Sequence, residues 1–189
     1  MAETKRRFEE LTGARITEAY ALTESLIAGI ASPLGGTCKA GSVGIPLPDV
    51  YVRIVDADKG ETELAMGAVG EIVIRGLQVM RGYFHNPGES SAMLVKHPDG
   101  HTWLHTGDLG YLDEDGYLFI VDRKKDLIKA GGMQVWPREL EETLAKHPAV
   151  AEVGVRGFAD AAKGEIAVAF VVLRQGLQAT EHELRDYCK

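Results

Sequence analysis

Four short stretches carry residue types that can do chemistry. Tyr20-Ala21-Leu22-Thr23-Glu24 ends a strand-like segment in an aromatic ring, a small residue, a hydroxyl and a carboxylate. These can offer a flat face to a base, a donor to a phosphate and a hard oxygen ligand to a metal. Read alone, the same five residues are a strand end followed by a helix cap. In Thr106-Gly107-Asp108 a glycine turn holds a carboxylate that can accept two hydrogen bonds from vicinal hydroxyls. Read alone, it is a turn. The third stretch runs from Asp122 to Gly132, DRKKDLIKAGG, and suits a charged hinge followed by a flexible backbone loop; its plain reading is a solvated linker. The fourth, QVWPRELEE from Gln134 to Glu142, is a strand-to-helix junction or simply a good helix start.

The elements that must position these residues follow from pattern. Residues 3–12 predict a short amphipathic helix with Phe8 and Leu11 on one face and Gly13 as its stop, leaving Lys5-Arg6-Arg7 as a solvated face. VYVRIVDA and VGEIVIRG alternate apolar and polar residues around a turn-rich insert and predict strands. Residues 86–94 predict a short helix. Residues 101–123 predict two or three short strands joined by the turn Asp113-Glu114-Asp115-Gly116. Pro137 opens a helix with Leu140 and Leu144 on one face, and Pro148 closes it. AEVGVRGFAD and GEIAVAFVVL predict paired strands before a last helix near Thr180. The expected class is α+β: a β-rich, distorted barrel-like part over 1–122, then a small α+β domain over 123–189.

Composition narrows the functional classes. The 189 residues can bury a real core, and 45% hydrophobic with 26% charged residues is ordinary for a globular chain. A net charge of −7 argues against a general nucleic-acid binder, which needs a basic face against phosphates, but leaves a local phosphate pocket open. Cys38 and Cys188 give no disulfide framework, and the six histidines lack zinc-ligand spacing, so His101 and His105 read as strand or loop residues. The start, MAETKRRFEELTG, has no apolar run behind its basic cluster and reads as no signal peptide. The eight-residue run Ile166–Leu173 is too short to span a bilayer, so no transmembrane segment is expected and a cytoplasmic protein is the default.

Taken in order and spacing, FEELTG, YALTE, GSVGIPLPD, GEIVIRG, MRGYFHNP and HTGDLGYLDEDGYLFIVDRKKDLIKAGGMQVWPRELEE resemble the adenylate-forming superfamily across essentially the whole chain. Acyl-CoA synthetases, firefly-type luciferases and peptide-synthetase adenylation domains belong to it. DRKKDLIKAGG followed by QVWPRELEE is most similar to medium- and long-chain fatty-acyl-CoA ligases; an aryl-acid or luciferase-like ligase is the alternative within the superfamily. A non-catalytic binding module is the alternative outside it.

The resemblance implies a C-terminal part of an enzyme that joins a carboxylic acid to ATP as acyl-AMP and passes the acyl group to coenzyme A. It implies that Tyr20 lies against adenine, Thr23 bonds the α-phosphate and Glu24 holds Mg2+. Asp108 would bind the ribose hydroxyls, Ile120 would pack near the ribose, and Arg123 would reach ribose and phosphate. Lys125 matches the hinge position, and Gly131 and Gly132 match the loop that enters for thioester formation. In this sequence Ala21 stands where the family usually has Gly, His105 where Arg is common, Asp49 where Gly is frequent and Ala159 where Pro is frequent. The phosphate loop is expected upstream, and residues 34–41, LGGTCKAG, lack its GxxxxGK[ST] order and read as a decoy. The adenylation lysine is expected after the last helix, so it is absent from the chain, which is expected to be inactive alone. Part of its apolar surface is expected to be exposed, so a homodimer is a further expectation.

Overall fold

The computed structural model describes residues 2–26 and 29–188. The chain divides into two compact units, Met1–Val121 and Asp122–Lys189.

The first unit opens with helix α1 (Ala2–Thr12), which ends at Gly13 in a left-handed conformation. Lys5 of α1 pairs with Glu18 at 2.9 Å, and Arg6 pairs with Glu10 one turn on. Then come β1 (Ala19–Tyr20), a single 3-10 turn (Thr23–Ser25), β2 (Ile30–Ala31), β3 (Ser42–Pro46), β4 (Tyr51–Val55) and β5 (Gly70–Arg75). Helix α2 (Pro87–Met93), β6 (Leu94–Lys96), β7 (Thr102–Leu112) and β8 (Leu118–Arg123) follow. The eight strands form one antiparallel sheet in the order β1-β2-β3-β8-β7-β5-β4, with β6 added beside β7. The pairing leaves β1 and β4 as open ends, so no closed barrel forms.

β5 explains how this sheet is buried. Ile72 and Ile74 point into a cluster with Tyr20, Ile30, Ile54 and Leu118, whereas the alternate Val73 packs with Val55 and Trp103. Strand geometry sends successive side chains to opposite faces. The run GEIVIR is therefore covered on both sides, which its unbroken apolar centre reflects. Gly44 in β3 carries a second constraint. A Cβ there would lie 1.9 Å from the Ala31 carbonyl carbon, and its φ of 105° lies in the region that favours glycine.

The second unit contains a 3-10 turn (Lys124–Asp126), β9 (Ile128–Ala130), β10 (Met133–Val135), α3 (Pro137–Ala145), β11 (Val150–Asp160), β12 (Gly164–Leu173) and α4 (Glu181–Tyr187). Its antiparallel sheet has the order β10-β9-β12-β11, and α3 packs against β11. Leu144, Ala149, Val150 and Ile128 are buried there, with Leu140 half-buried. Glu141 on α3 accepts the Val155 N–H at 2.8 Å, tying helix to sheet. Thr180 and Glu183 close a reciprocal capping box on α4.

The α+β class and the paired strands β11 and β12 follow the sequence reading. Two details differ. The segment after the charged run is not a loose loop: Gly131 and Gly132, with φ of 59° and 83°, form the two-residue turn of a β9–β10 hairpin in which Ala130 faces Met133. Positive φ at both centres is what a type I′ turn demands. And of the two strands that the Asp113–Gly116 turn joins, the first, Thr102–Leu112, is 11 residues long rather than short.

Candidate functional site

The long strand β7 is irregular where the chemistry was expected. Between the pairs Glu71–Leu109 and Val73–His105, β5 has one residue, Ile72, while β7 has three, Thr106, Gly107 and Asp108. The Thr106-Gly107-Asp108 stretch is thus a bulge inside a strand, with Gly107 at φ 69°. Its lost ladder bonds are replaced by side chains. The Thr106 hydroxyl donates to Ile72 O at 2.7 Å and accepts the Asp108 N–H at 3.1 Å, and the Gly107 N–H donates to Glu71 Oε1 at 3.2 Å. Asp108 is held 4% exposed.

That bulge turns Asp108 toward β1. The Tyr20 hydroxyl donates to Asp108 Oδ2 at 2.5 Å, joining residues 88 positions apart. Tyr20 is itself buried and belongs to the main core cluster, where Ile120 also packs from β8. An aromatic ring and a carboxylate therefore stand side by side, each fixed by the sheet.

Thr23 and Glu24 follow on the 3-10 turn, Thr23 exposed and Glu24 half-buried. Glu24 is engaged elsewhere than Asp108. The Tyr83 hydroxyl donates to Glu24 Oε1 at 2.7 Å, and the Met80 N–H donates to Glu24 O at 2.7 Å. Tyr83 is anchored in turn by its N–H to Ser90 Oγ at 2.8 Å on α2, whose start is capped by Asn86. The hydrogen bond to Glu24, with burial adding to it, pushes the Tyr83 phenol up to about 12.

The remaining expected residues lie in the second unit. Arg123, Lys125, Gly131 and Gly132 are all exposed. Asp122 uses its two oxygens on the Arg123 and Arg138 N–H groups, at 2.7 and 3.1 Å. The second bond supplies a carboxylate to the first turn of α3, whose N-cap Trp136 provides no side-chain bond. In the loop over residues 34–41 the lysine is engaged by carboxylates of the β7–β8 turn. Lys39 pairs with Asp113 and, at 2.6 Å, with Asp115, and lies over the Tyr117 ring.

Two features escaped the sequence reading. Tyr83 sits in MRGYFHNP, a stretch recognisable as a motif but with no chemistry of its own. Glu71, 3% exposed, is the second residue of β5 and faces His105 Nδ1 at 3.3 Å; a lone glutamate early in a strand gives no sign of that. Among the described residues no cluster of three or more His, Cys, Asp or Glu could hold a metal ion, and no helix is long and apolar enough to cross a membrane. Cys38 and Cys188 are free thiols.

Known proteins match both units. Residues 1–84 match the family model of the AMP-binding enzyme, and residues 139–189 match that of the AMP-binding enzyme C-terminal domain. The long-chain-fatty-acid–CoA ligase of Bacillus subtilis (strain 168) is 43% identical over 99% of this chain and 32% of its own length. Luciferin 4-monooxygenase of Photinus pyralis is 44% identical over 91% of this chain and 30% of its own. The crystal structure of ATP-bound MatB from Rhodopseudomonas palustris aligns with a TM-score of 0.89 at 35% identity, over 99% of this chain and 36% of that one. The chain thus spans about a third of the length of the relatives it matches.

Proposed function

Because this chain belongs to the AMP-binding enzyme superfamily, we propose that it is the C-terminal third of an ATP-dependent acid–CoA ligase acting on a fatty acid. The observation that carries the reading is the Tyr20–Asp108 contact, which fixes a ring and a carboxylate side by side as a nucleoside requires. In this reading residues 1–122 complete the nucleotide-binding domain and residues 123–189 belong to the mobile small domain.

The chemistry assigned to the enzyme has two steps. A carboxylate oxygen attacks the α-phosphate of ATP and pyrophosphate leaves, giving an acyl-AMP anhydride. The thiol of coenzyme A then attacks the acyl carbon and AMP leaves with the bonding pair, a far better leaving group than oxide. Tyr20 offers its ring face to adenine, and Asp108 accepts the ribose hydroxyls. Thr23, exposed beside them in sequence, donates to the α-phosphate. Ile120 packs near the ribose, and Arg123 reaches ribose and phosphate. Lys125 serves as the hinge, and the Gly131-Gly132 turn leaves room for pantetheine.

Glu24 fits the role of a Mg2+ ligand. Magnesium is commonly held by one or two carboxylates together with substrate phosphates rather than by a full protein cage, and Glu24 is a half-buried carboxylate oriented by Tyr83. When bound with ATP, the ion would neutralise charge on the phosphate oxygens.

ATP–pyrophosphate exchange and thioester formation in the complete enzyme, with a panel of fatty, aryl and luciferin-like acids, test the reading. Exchange that depends on fatty acids and on Asp108, followed by coenzyme A-dependent release of AMP, supports it. Activity on aryl acids alone, or release without coenzyme A, would replace it with the aryl-acid or luciferase-like reading, which the 44% identity to a luciferin monooxygenase favours.

A further inference from the structure

The bulge that carries Asp108 leans on a buried polar chain. Glu71 takes the Gly107 N–H on Oε1 and faces His105 Nδ1 with Oε2. His105 Nε2 in turn lies 2.9 Å from His97 Nε2. Glu71, His105 and His97 are 3%, 9% and 4% exposed, so water does little to screen them. The His105 ring is backed by Gly60, where a Cβ would lie 2.9 Å from Cε1. His97 is the first residue after β6, and its N–H donates to His101 O across the β6–β7 turn. The whole path therefore runs through elements packed on one another: β6, β7 and β5.

The proton count on this chain is restricted. Donation from His105 Nδ1 to the Glu71 carboxylate leaves Nε2 of a neutral His105 bare, so it accepts from His97 Nε2–H. One further proton can be taken by the pair without losing the Nε2–Nε2 bond. A second would put two N–H groups head to head at 2.9 Å, and the contact must break.

We propose that Glu71, His105 and His97 are positioning residues that hold the Thr106-Gly107-Asp108 bulge in place, and that they do so only while the histidine pair carries at most one added proton. The consequence for nucleotide binding rests on the role proposed above for Asp108; the positioning of the bulge does not. The charged and titratable groups facing the pair are Glu71 from β5, Arg53 from β4, Glu61 from the β4–β5 connection and Asp99 from the β6–β7 turn. Burial, and then the facing His105, hold His97 below the ordinary histidine value, in keeping with a pair that resists its second proton.

The test is a pH titration of the full chain by NMR from pH 8 to 4.5, following the imidazole nitrogens of His97 and His105 and the Gly107 amide. The expected result is one proton entering the pair with the Gly107 amide little changed. Entry of the second, at lower pH, then shifts the Gly107 amide with the same midpoint. In His97→Asn, whose amide can turn to donate to or accept from His105, the Gly107 shift at that second midpoint should disappear. Independent titration of the two rings, or an unchanged Gly107 shift in His97→Asn, would overturn the proposal. AMP titrated into the same sample at pH 7.5 separates the two readings: a coupled titration without AMP binding leaves the relay standing and counts against the nucleotide site.

Discussion

The Tyr20 hydroxyl and the Asp108 carboxylate meet at 2.5 Å across the sheet. Both are buried, so replacing the hydroxyl leaves a carboxylate that is 4% exposed with one donor fewer. Tyr20→Phe is therefore expected to destabilise the first unit by about 1.5–3 kcal/mol, the range for a hydrogen bond to a charged group. Urea unfolding monitored by Trp103 fluorescence checks this. A loss below about 0.5 kcal/mol would mean that the contact contributes nothing beyond packing.

Tyr83 offers a spectroscopic handle. Its phenol is raised to about 12 by the bond to Glu24, above the ordinary value. A group raised in the folded state stabilises fully below its unfolded value, about 10 for tyrosine, and that contribution is lost as pH rises through about 12. Tyr83 should then ionise late in an absorbance titration, and Tyr83→Phe should remove one tyrosine's worth of late absorbance change. In the complete enzyme the same variant should raise the Mg2+ concentration needed for half-maximal exchange by about tenfold, equivalent to about 1.4 kcal/mol.

Lys39 and Asp113 shift one another. Their hydrogen bond holds the lysine above and the aspartate below their ordinary values. The aspartate's contribution is present above about pH 3.9 and is lost as pH falls through its lowered folded value. Lys39→Met should therefore lower Tm at pH 6, with the gap to the parent chain closing below pH 4. A gap that stays constant from pH 6 to pH 2 would show that the substitution acts through packing over the Tyr117 ring instead.

The β9–β10 turn separates backbone strain from contact. No atom lies within 4 Å of a Cβ placed on Gly131 or Gly132, so only conformation opposes a side chain there. Gly131→Asn should be nearly neutral, since asparagine tolerates the left-handed region. Gly132→Val should cost about 1–2 kcal/mol and speed amide exchange at Ala130 and Met133, the pair that flanks the turn. Equal behaviour of the two variants would argue that the hairpin does not persist in solution.

Much of the fold is legible in the sequence because its signals are local. Val- and Ile-rich runs bounded by turn residues mark β4 and β5, Pro137 and Pro148 bracket α3, and Thr180 marks the start of α4. The site residues are legible as types, and a resemblance attaches roles to them, but their partners are not. The bulge in β7 arises from a mismatch between one residue of β5 and three of β7, which exists only once the strands are paired. Glu71 and Tyr83 act on residues 36 and 59 positions away, and no periodicity encodes such a contact. Asp49 shows the reverse case. It stands where the family often has glycine, and its φ of 64° is the backbone that a glycine would relieve.

The register of β3 on β8 sets the order in which this molecule can be built. Ser42 pairs with Phe119 and Gly44 with Leu118, and β1 reaches β7 only through β2, β3 and β8. A ring closure of that span is entropically uphill until the pairing repays it. The β7–β8 hairpin closes over residues 113–117 and is expected to form early, with β4–β5 closing next over residues 56–69. The Tyr20–Asp108 contact should then be among the last to appear in refolding, so a chain arrested before β3 docks would have most of its secondary structure and no site.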